Sequence, residues 1–173
     1  MDIYEAIKER TSVRSYLSKE VEDDKLARIL EAARLAPSGR NGQPWIFIVV
    51  KDEETRRALV PACKDQEFIA EAPIVIVACG REELAYKRMG GYWNSLPVDI
   101  GIAVEHLMLA AVAEGLGTCW IGAFYEEDVR RILGIPEDVK ILALTPLGYP
   151  AGERERRPRK SIDEIVMYEK WTG

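Results

Sequence analysis

PVDIGIAVEHLMLAAVAE, residues 97–114, decides the fold. Its spacing predicts one long helix that is apolar nearly all round, broken only by Asp99, Glu105 and His106 before its end. Such a helix is buried on most of its sides, either in the middle of a domain or between two subunits. Gly115-Leu116-Gly117 stops it. Working outward, four stretches are rich in β-branched and aromatic residues and read as strands: WIFIVV (45–50), PIVIVAC (73–79), TCWIGAF (118–124) and VKILALTPLGYP (139–150). Between them lie helical patterns. Asp2 caps a first helix that is expected to bury Ile3, Ala6 and Ile7. Residues 23–36 repeat apolar positions at Leu26, Ile29, Leu30 and Ala33 and stop at Pro37. Residues 52–63 form a short helix, and 126–135 another that closes at Gly134. GREELAYKRMGGYWNSL (80–96) reads as a loop or frayed helix of the kind that covers sites. Mixed strands and helices around one sheet give an α/β or α+β class.

Composition narrows the function. The chain has 173 residues, 47% of them apolar, which suits one domain with a real core. A net charge of -5 argues against nucleic acid, which favours a basic surface. The charged, helical start MDIYEAIKER is no signal peptide, and no unbroken apolar run reaches about 18 residues, so no membrane span is expected. Cys63, Cys79 and Cys119 are odd in number and far apart, which suits neither zinc nor a disulfide framework and points to a reducing, cytoplasmic setting. His106 is the only histidine and lies in the apolar helix; its plain reading is structural, and no metal site is expected. Ser38 lacks the GxSxG elbow, and no phosphate-binding GxxxxGK[ST] is present.

Four stretches carry chemistry. RTSVRSY (10–16) sets Arg10 and Arg14 around Ser12 where the first helix gives out. Its bland reading is a solvated helix end whose arginines satisfy the last carbonyls; its sharper one is half of a phosphate clamp. APSGRNGQPW (36–45) is a connecting loop by composition, yet Asn41 and Gln43 alternate just before a buried strand. Carboxamides offer both donor and acceptor, as the edge of a heteroaromatic ring requires. GLGTCWIGAF (115–124) is no dinucleotide fingerprint, since Trp120 stands where a third glycine belongs. Gly122, inside an apolar strand, reads as a place of close backbone approach by a ligand. RERRPRKS (154–161) is a charge run in which Arg159 and Lys160 follow Pro158, available to close on the anion held by Arg10 and Arg14.

These stretches, in this order, resemble the nitroreductase family of flavin enzymes in its short form, and PRKSIDEIV followed by EKW extends the likeness to the whole chain. The resemblance implies a central, mostly antiparallel sheet flanked by helices, one domain over 1–173, and a homodimer in which residues 160–173 form a C-terminal arm packed on the partner. It implies tightly bound, non-covalent FMN in the subunit interface. Arg10, Ser12 and Arg14 match the family's N-terminal flavin motif, with Arg10 on the phosphate, and Arg159 and Lys160 match its C-terminal basic pair. Pro37, Ser38, Asn41 and Gln43 match the loop that touches the ring. Ile121 and Gly122 match the strand beside it, where the Gly122 amide points at the reactive nitrogen.

The activity implied is hydride transfer from NADH or NADPH through flavin N5 to an electron-poor acceptor, a nitroaromatic or quinone, with ping-pong kinetics. No catalytic acid or base is required of the chain, and Tyr86, Tyr92 and Trp93 are the candidate substrate contacts. Two alternatives stand beside it: dehalogenation, flavin fragmentation or dehydrogenation on the same scaffold, and a non-enzymatic flavin-binding dimer.

Overall fold

The computed structural model describes residues 1–152 and 156–173. In chain order the elements are α1 (Ile3–Glu9), α2 (Asp23–Arg34), β1 (Trp45–Val50), α3 (Glu53–Ala62), α4 (Phe68–Glu71), β2 (Ile74–Gly80), α5 (Leu96–Ala113), β3 (Gly117–Thr118), α6 (Glu126–Leu133) and β4 (Lys140–Gly148). Single 3₁₀ turns occupy Gly39–Asn41 and Ile162–Glu164. The strands form one antiparallel sheet in the order β1-β2-β4-β3.

β2 explains why the sheet carries helices on both faces. Its seven residues are all buried, so consecutive side chains must each find apolar cover. Ile74, Ile76 and Ala78 join α2 and α5 in one core cluster, whereas Val75, Val77 and Cys79 join α3 and α6 in another. Each full burial of an Ile or Val contributes on the order of 1.5–3 kcal/mol. A bulge opposite Ala78 and Cys79 shifts the β4 register by one residue. Ile141 and Ala143, two residues apart, therefore belong to different faces.

α5 is the central helix, packed against α2 and the sheet. By length and mean hydropathy, 1.7 over 18 residues, it is apolar enough to cross a membrane, although Asp99, Glu105 and His106 interrupt its apolar run. Its residues from Leu96 to Val112 nevertheless supply the middle of the core.

Two expectations are corrected. α1 has the expected Asp2 cap, completed by Glu5 in a reciprocal capping box, but it buries only Ala6; Ile3 and Ile7 are each 56% exposed. TCWIGAF is not a continuous strand: pairing covers Gly117 and Thr118, lapses, and returns as a single bridge from Ile121 to Leu144. The register never changes, since Gly117 faces Gly148, Thr118 faces Leu147 and Ile121 faces Leu144. The position opposite Cys119 is Pro146, which has no N–H for the ladder.

Candidate active site

α1 ends at Glu9 because Arg10 turns to extended backbone. The chain then runs beside the sheet, with Val13 N–H donating to Thr118 O (2.9 Å) and Leu17 N–H to Tyr149 O (2.8 Å). Val13 lies so close to Gly117 that a Cβ there would meet its Cγ2 at 2.5 Å. This extended course keeps Val13 and Tyr16 buried and turns Ser12 and Arg14 outward.

The outward side chains open on a cleft of about 670 Å³ lined by Lys8, Arg10, Thr11, Ser12, Arg14, Arg156, Arg157 and Arg159, with Ile7 and Glu105 at its edge. Its volume falls in the usual range for ligand sites. Arg10 reaches Glu105 only at 4.0 Å, and Arg156 pairs with Glu9. Arg14, Arg157 and Lys8 make no ion pair among the described residues. The Thr11 hydroxyl lies buried in the wall with no hydrogen-bond partner among the described residues, a state that costs about 1–3 kcal/mol unless a ligand supplies one. Unpaired guanidinium forks beside hydroxyls are the donor set of a phosphate dianion. Behind the cleft, burial pushes the Cys119 thiol up, opposed in part by the Arg14 guanidinium.

The two ends of the chain thus meet in one place, as the clamp requires: Arg10, Ser12 and Arg14 with Arg159. Lys160 is exposed and does not line the cleft. Of the charge run, Arg154 and Glu155, like Glu153, lie outside the described residues. Lys8, Thr11, Arg156 and Arg157 were not singled out from sequence, although the last two sit inside the RERRPRKS run that signalled them.

The carboxamide loop is elsewhere on the same chain. Arg40, Asn41 and Gln43 all have positive φ, at 54°, 56° and 47°, each a strained conformation for a residue with a Cβ. The loop is held from below. Asp99, 3% exposed on the first turn of α5, accepts from Gly39 N–H (2.9 Å) and from the Ser95 hydroxyl (2.6 Å). Ser95 Oγ accepts in turn from Tyr86 N–H (2.9 Å), and Ser38 Oγ from Gln43 N–H (2.9 Å). One buried carboxylate therefore ties the 38–43 loop to the 84–95 segment. Pro37, Asn41 and Gln43 are exposed, and none of them, nor Ser38, lines the basic cleft. Asp99 and Ser95 carried no sequence signal beyond an acid near a helix start.

Of the stretch read as a loop or frayed helix, Gly80 ends β2, Leu96 begins α5, and 81–95 are a loop closed by a tight turn in which Met89 and Trp93 exchange backbone bonds around Gly90 and Gly91. Tyr92 and Trp93 are exposed and meet edge to face, their ring centres 5.7 Å apart. Tyr86 is half-buried under Arg40. Ile121 is buried, with its N–H and C=O both bonded to Leu144. Gly122 is exposed and follows it outside any strand, next to the Trp120 indole. Among the described residues no group of three or more His, Cys, Asp or Glu is arranged to hold a metal ion.

The fold is a helix-flanked antiparallel sheet of mixed α/β class, with a basic cleft where the two chain ends meet. Residues 7–70 and 62–149 match the model of the nitroreductase family. A protein of Methanothermobacter thermautotrophicus, named as a candidate NADH dehydrogenase/NAD(P)H nitroreductase, is 36% identical over 175 residues, which cover 99% of this chain and 88% of that protein. The FMN reductase (NAD(P)H) of Bacillus subtilis is 30% identical over 173 residues, 91% of this chain and 70% of its own length. The crystal structure of a nitroreductase family protein from Clostridium difficile superposes with a TM-score of 0.90 at 30% identity, covering 99% of this chain and 100% of that one. The chain belongs to the nitroreductase family, in a short form, and is an oxidoreductase of that type.

Proposed function

We propose that the chain is an FMN-dependent NAD(P)H oxidoreductase that works as a homodimer in a reducing, cytoplasmic setting, passing hydride to an electron-poor small molecule such as a nitroaromatic or quinone. The observation that carries this reading is the basic cleft with its orphaned Thr11 hydroxyl. FMN, when bound, supplies hydride acceptance and donation at its ring N5. Arg10, Arg14 and Arg159 hold the phosphate, with Ser12 and Thr11 as hydroxyl partners, and Arg14 adds positive potential where negative charge arrives. Pro37, Ser38, Asn41 and Gln43 present carboxamides and backbone to the ring edge. They lie outside the cleft of their own chain, so a second copy supplies them, and each dimer has two such composite sites. Tyr92 and Trp93 offer aromatic faces to the acceptor. Donor and acceptor use one place in turn, which makes the kinetics ping-pong.

The cuvette experiment is direct. The purified protein is yellow, and anaerobic NADH or NADPH bleaches it. Arg10→Ala combined with Arg159→Ala yields protein with little bound flavin. Full flavin occupancy in that double variant removes the clamp assignment, and a colourless protein that takes up no added FMN removes the whole reading.

A further inference from the structure

A second basic pocket is left over once the cleft has been assigned. It lies between the carboxamide loop and the start of the 80–96 loop, has a volume of about 490 Å³, and is lined by Gly39, Arg40, Leu84, Ala85, Tyr86, Lys87 and Arg88. Arg40, Lys87 and Arg88 make no ion pair among the described residues. Three uncompensated cations around one concavity cost free energy by mutual repulsion and are poised for an anion.

The pocket is built rather than a chance crease. Gly39 packs so tightly on the Tyr86 side chain that an added Cβ would stand 2.7 Å from Tyr86 Cβ, and one on Gly42 would run into the Leu84 carbonyl. The Asp99–Ser95 pair pins Gly39 and Tyr86 from beneath. Arg40 is held at φ 54°, with its guanidinium carbon 4.8 Å from the centre of the Tyr86 ring. A guanidinium held over a ring face by cation–π attraction still has N–H donors to offer a bidentate oxyanion. Strain kept by an over-determined surrounding is a mark of a site.

Resting on the reading of the chain as an NAD(P)H oxidoreductase, we propose that this pocket binds the 2′-phosphate of NADPH and makes NADPH the preferred reductant. The ribose phosphate is a dianion, matched to three cations better than a single carboxylate is. It sits at the far end of the dinucleotide from the nicotinamide, and this pocket is lined by Gly39 and Arg40 but by neither Asn41 nor Gln43, the residues proposed for the ring edge.

The test is a specificity ratio on flavin-loaded protein at low salt. The wild-type kcat/KM is about tenfold or more higher for NADPH than for NADH, and the advantage shrinks as ionic strength rises. Lys87→Ala with Arg88→Ala, both on exposed side chains, brings the ratio down about tenfold. A structural disturbance moves both reductants together and leaves the ratio unchanged, which overturns the proposal, as does a wild-type preference for NADH. So does a double variant whose effect is confined to 4-nitrobenzoate over 4-nitrobenzamide, which assigns the pocket to an acceptor carboxylate. If neither reductant bleaches the protein, the functional reading fails by itself, and calorimetry still decides the pocket. Adenosine 2′,5′-bisphosphate binding about tenfold tighter than 5′-AMP, with the difference lost in the double variant, supports it. Equal binding overturns it.

Discussion

Asp99 shows how much one buried side chain organises here. Its two oxygens satisfy the Gly39 N–H and the Ser95 hydroxyl, and through Ser95 it fixes the Tyr86 backbone. Asp99→Ala leaves two donors without acceptors in a buried place, at about 1–3 kcal/mol each. We expect urea unfolding to show a loss of that order, together with a changed flavin absorption band as the loop carrying Asn41 and Gln43 loosens. A variant of wild-type stability and spectrum contradicts the role. The cysteines make the opposite point, being inert by design of their surroundings. Burial pushes Cys63 and Cys79 up to about 12 and raises Cys119 as well, so at pH 7–8 all three are neutral thiols, and all three are buried. The native protein is therefore expected to show no fast thiol with a disulfide reagent, and the unfolded one to show three. A fast native thiol would place one of them in an open site.

Between elements, the joint of α2 with the end of α5 is held by a network of charged hydrogen bonds. Arg28 grips both oxygens of Glu114 at 2.7 and 2.8 Å and also bonds Asp24, while Lys25 donates to the Glu114 carbonyl and to the Tyr149 hydroxyl. The Arg28 hydrogen bonds hold Glu114 and Asp24 below the ordinary carboxylate range, and the Tyr149 hydroxyl does the same for Glu22. A depressed carboxylate contributes stability above its unfolded value that is lost as pH falls through its folded one. The melting temperature is thus expected to hold from neutral pH down to about 4.5 and to fall below it. Glu114→Gln is expected to flatten that acid limb and to weaken the salt dependence; an unchanged limb assigns it to other carboxylates. At this scale the sequence was largely legible, because β1 and β2 are apolar runs, β4 is mostly so, α2 has clear helical spacing, and α5 is long and apolar nearly all round. The misread strand was TCWIGAF. Its apolar content reports burial, which Cys119 and Ile121 do have, but a ladder depends on the partner, and Pro146 lies far along the chain. α4, four residues long, was missed because one turn has no periodicity to detect.

At the scale of the whole molecule, many of the exposed apolar side chains fall into two groups. Ile3, Ile7, Leu35 and Val98 are exposed, and so are Ile162, Ile165, Val166, Tyr168 and Trp171, the last at 80%. A groove beside α5, lined by Ile3, Ala6, Leu35, His106, Leu109 and Ala110 among others, runs along the first group. Every residue from 156 to 173 is exposed on its own chain, although the periodic spacing of Ile162, Ile165 and Val166 is that of a segment with an apolar side. The sequence misjudged Ile3 and Ile7 for the same reason: hydrophobic spacing says that a face is buried but not against which copy. Patches of this kind mark an interface, and a stable one buries about 1,200–2,000 Å² in total. In the dimer proposed above, a C-terminal arm that crosses to a second copy would cover both patches. Since Arg159 lies at its root in the basic cleft, the same crossing ties dimer formation to flavin retention. A chain ending at Lys160 keeps Arg159 but loses the arm. It is expected to elute as a monomer, to bind a hydrophobic dye, and to lose flavin although its phosphate contacts are intact. A truncated protein that stays dimeric and yellow rejects the crossing arm. A truncated monomer that keeps its flavin rejects instead the composite site in which the partner supplies Asn41 and Gln43.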